Sequence, residues 1–163
     1  MPNATGHARE HLLAVAAHLF AHKGYADVNV TAIARAASLT TGALYHHFNS
    51  KAELYLAVRL DLEERIVARM EEAAAAHHKL RPSARAALYA GFETCSSLGA
   101  SRILSEQLPE TAPDVIGDFF ARLCGPEKMA RAVLLTTLFR SSVAMLDHGQ
   151  TLEQAQAALE WLF

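Results

Sequence analysis

Residues 29 to 54, NVTAIARAASLTTGALYHHFNSKAEL, constrain the fold of this 163-residue chain more than any other segment. Asn29 can cap the free N–H groups of a short helix, because its side-chain oxygen accepts hydrogen bonds. The apolar positions of that helix recur at three-to-four spacing, at Val30, Ile33, Ala34 and Ala37. Ser38 interrupts the helix, since short polar residues favour turns, and Thr40 can cap a second helix. The segment therefore predicts two short helices joined by a tight turn.

The second helix begins with small side chains. Thr41, Gly42 and Ala43 occupy its first turn, whereas Leu44 and Phe48 point into a core at i, i+4 spacing. A DNA-recognition helix inserts its N-terminal turn into the major groove, where bulky side chains would hold the backbone away from the base edges. Thr41 can hydrogen-bond a base, and the methyl groups of Thr41 and Ala43 can contact a thymine methyl. This pattern predicts a reader of double-stranded DNA.

Polar side chains after this turn are candidates for phosphate contacts, which fix register without reading sequence. They are Tyr45, His46, His47 and Lys51. Ser50 and Glu53 form a capping-box pattern at the start of the next helix. The alternative interpretation is an ordinary amphipathic helix of a bundle, with histidines that only face solvent.

A longer series of residues surrounds the helix pair, from about His11 to Leu56. It comprises Leu12, Ala16, Leu19 and Phe20, Lys23-Gly24-Tyr25, Ile33-Ala34, Gly42 to Phe48 and Ser50-Lys51. This series resembles the DNA-binding domain of the tetracycline-repressor (TetR) family of bacterial transcriptional regulators. The resemblance implies an all-α fold, with an N-terminal three-helix helix-turn-helix domain at residues 1–50 and a helical effector-binding and dimerisation domain at 51–163.

The resemblance also implies roles for single residues. The residues that would face bases or nearby sugars are Thr31, Thr41, Gly42 and Ala43. They lie next to Thr40, which caps the helix. Phosphates would be held by Tyr45, His47 and Lys51, and His46 can do either. One position departs from the family, which usually has glycine where this chain has Ser38. A left-handed backbone is easiest without a Cβ atom, so serine there costs about 1 kcal/mol and predicts a slightly less stable motif.

Composition agrees with a helical protein that has a DNA-facing end. The chain is 52% hydrophobic with 5 prolines and shows no alternating strand pattern. Its net charge is −2, but residues 1–51 hold four Lys/Arg against two Asp/Glu and six of the nine histidines. Because this segment holds so few cations, we expect DNA binding to depend only moderately on the salt concentration. Because no Gly-rich phosphate loop, activated nucleophile or carboxylate cluster is recognisable, we predict neither an enzyme nor a cofactor.

The remaining sequence predicts a helical body that forms a dimer. Helices are expected over Ser50–His78, Ala84–Leu98, Ser101–Leu108, Pro113–Leu123 and Glu127–His148, with a break at Leu80–Ser83 because of Pro82. The terminal helices are more apolar than one internal core needs, although a purely internal core is the alternative. Candidate residues of a dimer seam are Leu135, Leu138, Leu146, Leu152, Leu159 and Leu162. In a homodimer, two recognition helices lie about one DNA turn apart and read a pseudo-palindrome.

The resemblance further implies an effector pocket in the body, and ligand binding there would change the separation of the two DNA-reading ends. Candidate lining residues are mostly apolar: Tyr89, Phe92, Cys95, Leu104, Leu108, Phe119, Phe120 and Phe139. A small apolar or aromatic ligand is therefore expected, and a plain packed core is the alternative. The predicted function is a homodimeric repressor released from its operator by such a ligand. The alternatives are a regulator without an effector and a helical interaction module without sequence-specific DNA binding.

Other features carry less weight. His7–His11 and His18–His22 have the i, i+4 spacing of metal sites, but solvated histidines are far commoner and no metal site is predicted. Cys95 and Cys124 offer neither a metal spacing nor a disulfide framework. The apolar run Ala132 to Leu146 is judged too short and too polar to span a bilayer. With no secretory signal in Met1 to Gly6, we expect a cytoplasmic protein without a membrane partner.

Overall fold

A computed structural model describes residues 4–107 and 112–161 of the chain. Within these ranges the backbone forms nine α-helices and one short 3-10 helix, without any β-strand. The helices are α1 (Ala4–Asp27), α2 (Val30–Ala36), α3 (Thr41–His47), α4 (Lys51–Ala75), α5 (Leu80–Ser97), α6 (Ser101–Ser105), α7 (Val115–Cys124), α8 (Met129–Asp147) and α9 (Leu152–Glu160). The 3-10 helix, Pro126–Lys128, directly precedes α8. The predicted all-α class is confirmed.

The chain divides into two compact units, one ending at Asp61 and the other starting at Leu62. This boundary lies inside α4 rather than at residue 50, where the sequence predicted it. The first turns of α4 belong to the N-terminal unit because Tyr55 packs edge-on against Phe20 and Tyr25, with ring centroids 5.0 and 4.9 Å apart.

The N-terminal unit packs α2 and α3 against each other and α2 against α1. Its buried side chains come from all four helices: Leu12, Ala16 and Phe20, then Ile33 and Ala34, then Leu44, and then Leu54, Tyr55 and Val58. Gly24 breaks the regular helical path of α1 with a φ of +79°, a conformation that glycine adopts without a Cβ clash. The chain can then turn towards α2.

The C-terminal unit is organised around α8, which packs mainly against α6 and α7 and also contacts α5 and α9. Phe92 of α5 and Phe139 of α8 are both buried and stack with centroids 5.2 Å apart. A Cβ atom on Gly91 would lie 2.8 Å from the Phe139 ring and 3.1 Å from the Met70 side chain. The close approach of α5 to α8 therefore requires a residue without a side chain.

Polar contacts join the helices of this unit. Asp114 caps α7 by accepting a 2.8 Å hydrogen bond from the Gly117 N–H, and its carboxylate also accepts a 2.6 Å bond from Arg140 of α8. The Tyr89 hydroxyl donates to the carbonyl of Gln156 in α9 at 3.3 Å. These contacts link α5, α7, α8 and α9 in addition to their apolar packing.

The predicted break between the fourth and fifth helices, at Leu80–Ser83, is wrong. The break lies between Ala75 and Leu80, and α5 starts at Leu80 with Pro82 in its first turn. Proline is tolerated there because the N–H groups of a first turn have no intrahelical partner.

The predicted helix from Ser101 ends at Ser105 within the described residues, and Leu108 lies outside them.

The stretch Pro126–Asp147 spans 22 residues and contains an 18-residue window with a mean hydropathy of 1.3, so by length and composition it is able to cross a membrane. The prediction from the sequence considered only the shorter run Ala132 to Leu146 and therefore underestimated the length of this segment. The core helix of a soluble protein passes the same test, and α8 packs one side against α6 and α7.

Candidate nucleic-acid interface

Helix α2 begins as the sequence predicts. The Asn29 side-chain oxygen accepts a 2.7 Å hydrogen bond from the Ala32 N–H. Ile33 and Ala34 are buried, whereas Thr31 and Arg35 are exposed. Because Thr31 and Arg35 are four residues apart, they share the outer face of α2. Arg35 was not among the predicted site residues, although its charge and its spacing from Thr31 could have identified it.

The turn between α2 and α3 is built around Ser38 in the left-handed region. Its φ is +56°, and it is the single non-glycine residue with a positive φ in the described part of the chain. The Leu39 N–H donates to the Ala34 carbonyl at 2.8 Å and the Ser38 N–H to the Arg35 carbonyl at 3.1 Å. This pair of bonds is a Schellman motif, which satisfies carbonyls at the end of α2. The expected left-handed conformation at this position is therefore confirmed.

The same motif ends two other helices with glycine in place of serine. Gly99 after α5 and Gly149 after α8 have φ values of +60° and +87°. In each case the following N–H and the glycine N–H bond back to the last turn in the same pattern. Ser38 thus occupies a position that this chain otherwise gives to glycine.

Helix α3 presents small side chains at its start. The Thr40 hydroxyl accepts a 3.1 Å hydrogen bond from the Ala43 N–H, and Leu44 is fully buried. On the outer side, Gly42 is exposed, and Thr41 and Ala43 are half-buried. A Cβ atom added to Gly42 would meet only the Thr40 hydroxyl, at 3.9 Å. The fold of the isolated chain therefore leaves room for a side chain at Gly42.

The end of α3 carries an aromatic and two imidazole rings. Tyr45 is 48% exposed, His46 is exposed and His47 is half-buried. The two imidazole rings lie 5.5 Å apart between centroids. Phe48 follows as a buried anchor, with the Arg9 guanidinium 5.1 Å from its ring centroid. Tyr45 and His46 thus present hydrogen-bonding groups on the same short helix as Gly42.

Lys51 has a different environment from the one predicted. Its ammonium group donates to the backbone carbonyls of Tyr25 and Val28 at 2.8 and 2.9 Å, and it lies 4.2 Å from the Tyr25 ring centroid. Lys51 therefore ties the segment after Gly24 to the start of α4. Two of the three ammonium N–H groups are thus engaged within the chain, and the phosphate contact of Lys51 stays a prediction.

The predicted capping box at the start of α4 is only half formed. The Ser50 hydroxyl accepts from the Glu53 N–H at 3.0 Å, as expected. The Glu53 carboxylate, however, accepts from the backbone and side-chain N–H groups of Asn49 at 3.0 and 2.8 Å. The Glu53 carboxylate thus binds Asn49, the residue before Ser50, and this contact holds the chain between α3 and α4 in place.

The predicted effector residues lie mainly in the core of the C-terminal unit. The buried ones are Phe92, Cys95, Leu104, Phe119, Phe120 and Phe139. Burial raises the pKa of the Cys95 thiol to about 12, so this cysteine stays protonated at neutral pH. Tyr89 is half-buried, and Leu108 lies outside the described residues. An effector-binding role for these residues stays a prediction.

Open grooves occur elsewhere in this unit. One of about 520 Å³ is lined by His77, Arg81, Pro82, Arg85, Ala86 and Tyr89. The Arg85 guanidinium lies 5.5 Å from the Tyr89 ring centroid and 3.7 Å from the Glu160 carboxylate. Of the predicted effector residues, Tyr89 lines this groove and Phe119 lines a second one of about 390 Å³.

The predicted dimer residues are only partly available to a second chain. Leu135, Leu138, Leu146 and Leu152 are half-buried. Leu159 is buried within its own unit, which corrects its assignment to the seam, and Leu162 lies outside the described residues. The exposed apolar residues of α8 are instead Met129, Val133 and Leu134, the last two 58% and 69% exposed. The sequence showed that α8 is apolar on more than one face but not which face turns outward.

Comparison with known sequences shows that the helix pair is similar to one family of regulators. The family model described as "Bacterial regulatory proteins, tetR family" matches residues 12–58. The HTH-type transcriptional regulator UidR of Escherichia coli strain K12 is 36% identical over 64 residues, which are 39% of this chain and 33% of UidR. The match therefore spans about a third of the length of this relative.

Solved structures resemble the chain over almost its whole length. A TetR-family transcriptional regulator from Pectobacterium atrosepticum has a TM-score of 0.76 at 24% identity, covering 100% of this chain and 95% of that one. AibR, in complex with isovaleryl coenzyme A and operator DNA, has a TM-score of 0.69 at 19% identity, covering 93% and 95%. These likenesses establish the shared fold and confirm the predicted architecture of a helix-turn-helix followed by a helical body.

Replacing Ser38 by glycine tests whether this turn is strained. We expect Ser38→Gly to raise the free energy of unfolding by up to about 1 kcal/mol in urea denaturation, because glycine removes the left-handed Cβ clash. Gly99→Ser is the matched control: no atom lies within 4 Å of an added Cβ there, so only backbone strain changes. It should lower stability by a similar amount. An unchanged or lower stability of Ser38→Gly would show that Ser38 is not strained.

Proposed function

We propose that the chain, whose residues 12–58 match the family model of the tetR bacterial regulatory proteins, is a sequence-specific, double-stranded-DNA-binding transcriptional regulator. The observation that supports this most strongly is the outer side of α3. Thr41, Gly42 and Ala43 form a low surface on which the backbone can approach the base edges of a major groove. Gly42 is not required by the packing of the chain itself, as its added Cβ has room.

Contacts to the DNA backbone come from the sides of this surface. Tyr45 and His46 project from the end of α3, and Arg35 and Thr31 lie exposed on α2. Their hydroxyl, imidazole and guanidinium groups can donate hydrogen bonds to phosphate oxygens. We assign base contacts to Thr41 and Ala43, and phosphate positioning to Tyr45, His46 and Arg35. Lys51 supports this surface indirectly, through the two carbonyls that it binds.

Substitutions at Gly42 and Thr41 separate DNA reading from stability. Gly42→Ala and Gly42→Leu should weaken operator binding in order of side-chain size, about tenfold or more for leucine, which corresponds to about 1.4 kcal/mol. Their midpoints of thermal unfolding should stay at or above the wild-type value, because the added atoms face open space. Thr41→Ala should change the ranking of variant operators in mobility shifts.

Two results would contradict this placement of the recognition turn. One is that Gly42→Leu binds operator DNA as tightly as the wild type. The other is that Thr41→Ala leaves the relative affinities for variant operators unchanged.

We further propose that the regulator is a homodimer joined through α8. Met129, Val133 and Leu134 are large exposed apolar side chains in the first half of α8, within about 140° of its circumference, and Leu134 and Leu135 also line a groove with Leu80 and Ala84 of α5. Large exposed apolar patches on a soluble protein mark association surfaces. A second copy of the same face would cover these side chains and hold two recognition helices for two half-sites.

A charge on this face should separate the two chains. Leu134→Arg is expected to shift the protein from dimer to monomer in analytical ultracentrifugation and to weaken operator binding, since half of the contacts are then lost. Ala68→Arg, on an exposed position of α4, is the control for an added charge and should remain dimeric. A dimeric Leu134→Arg variant would place the interface elsewhere.

The ligand is proposed to be an acyl-coenzyme A rather than a purely apolar molecule. The groove beside Tyr89 offers Arg81, Arg85 and His77 as partners for phosphates, and Tyr89 as an aromatic surface. AibR, which shares the fold, was solved with isovaleryl coenzyme A. A ligand that prefers the state unable to fit DNA releases the operator, and each tenfold loss of affinity takes about 1.4 kcal/mol of differential binding.

Removing both guanidinium groups tests this ligand class. Isovaleryl coenzyme A should raise the midpoint of thermal unfolding of the wild type, and it should bind the double variant Arg81→Ala/Arg85→Ala at least about tenfold more weakly. Arg69→Ala, an exposed arginine of α4, is the matched control and should bind like the wild type. Failure of the wild type to bind either isovaleryl coenzyme A or longer acyl esters would eliminate the class.

A further inference from the structure

The histidines of α1 form two pairs with the same spacing but different surroundings. His18 and His22 both lie exposed on α1, and their Nε2 atoms are 3.1 Å apart with ring centroids at 4.3 Å. In the other pair, the His7 Nδ1 atom lies 4.0 Å from the Glu10 carboxylate. The sequence alone does not show which of the two pairs is better suited to bind a metal ion. The structure shows a hydrogen bond between the two Nε2 atoms of His18 and His22, in which the tautomer decides which ring donates.

This separation matches a chelate. Two imidazole nitrogens bound at about 2.1 Å to one ion lie about 3.0 Å apart at right angles and about 3.4 Å apart in a tetrahedron. The 3.1 Å between the two Nε2 atoms falls inside that interval. A metal ion that replaces this hydrogen bond, with both Nε2 atoms unprotonated, can therefore bind without a large change in their separation. The neighbouring cation Lys23 follows His22 by one residue, so it projects about 100° away around the helix.

We propose that His18 and His22 form a bidentate site for a late first-row divalent metal ion, with Cu²⁺ bound more tightly than Zn²⁺. Neutral imidazole suits these ions, and the order of affinity follows the general ranking of divalent metals for nitrogen ligands. Among the described residues, no group of three or more His, Cys, Asp and Glu side chains converges, so water molecules complete the coordination. The site shares no residue with the proposed DNA surface.

The site has a physical consequence for the N-terminal unit. An ion bound at i and i+4 links two successive turns of α1, and α1 packs against α2. Because the unfolded chain does not hold the two rings in this geometry, the ion binds the folded state preferentially and stabilises it. Metal binding should therefore raise the stability of the helical framework that carries α2 and α3.

The test uses the untagged full-length chain, with Cu²⁺ and Zn²⁺ alone as probes in calorimetric titrations. The first equivalent of Cu²⁺ should bind the wild type at least about tenfold more tightly than it binds His18→Gln, which loses the chelate. His7→Gln is the matched control, because it removes a histidine from the other pair, and it should bind like the wild type. Glutamine is a good helix former, so both variants should retain α1.

A second measurement locates the ion. One equivalent of Zn²⁺ should shift the imidazole nitrogen resonances of His18 and His22 before those of the other histidines. Either of two results overturns the proposal. In one, His18→Gln binds the first equivalent of Cu²⁺ as tightly as the wild type. In the other, Zn²⁺ shifts other histidines while His18 and His22 stay unchanged.

Discussion

The proposed DNA-facing part of this chain depends on two helices of seven residues each, α2 and α3. Isolated helices of this length are not stable in water, because nucleation costs more than so few hydrogen bonds return. Stability must come from their ends and their buried faces. Asn29 and Thr40 cap the two N-termini, and Leu44 and Phe48 anchor the second helix in the core. The outward side chains are then not needed to stabilise the helices, and they are available for contact with DNA.

The same dependence explains the surrounding contacts. Lys51 binds two carbonyls of the segment that follows Gly24, and Glu53 accepts two hydrogen bonds from Asn49. These side chains hold the loops on either side of the helix pair, so the position of α3 is set by polar ties as well as by the core. Ser38 is the weakest element of this frame, because its backbone adopts a conformation that the chain elsewhere gives to glycine.

Local sequence rules predicted much of this arrangement. The caps at Asn29 and Thr40 and the left-handed residue at Ser38 follow from side-chain chemistry within a few residues, and all are confirmed. The contacts that these local rules missed depend on residues far apart in sequence. Lys51 reaches carbonyls more than twenty positions away, and a pattern cannot show which acceptor a lysine will find. In α8 both faces are apolar, so packing alone decides which of them is buried.

The central claim is that the chain reads DNA as a symmetric pair of α3 helices. Selection of duplexes from a random pool by the purified protein, followed by footprinting of the enriched sequence, tests it most directly. We predict a pseudo-palindrome whose half-site centres lie about 34–36 Å apart, with affinity that falls as salt rises. Failure to enrich any sequence, or enrichment of an asymmetric single site protected by one chain, would contradict the account.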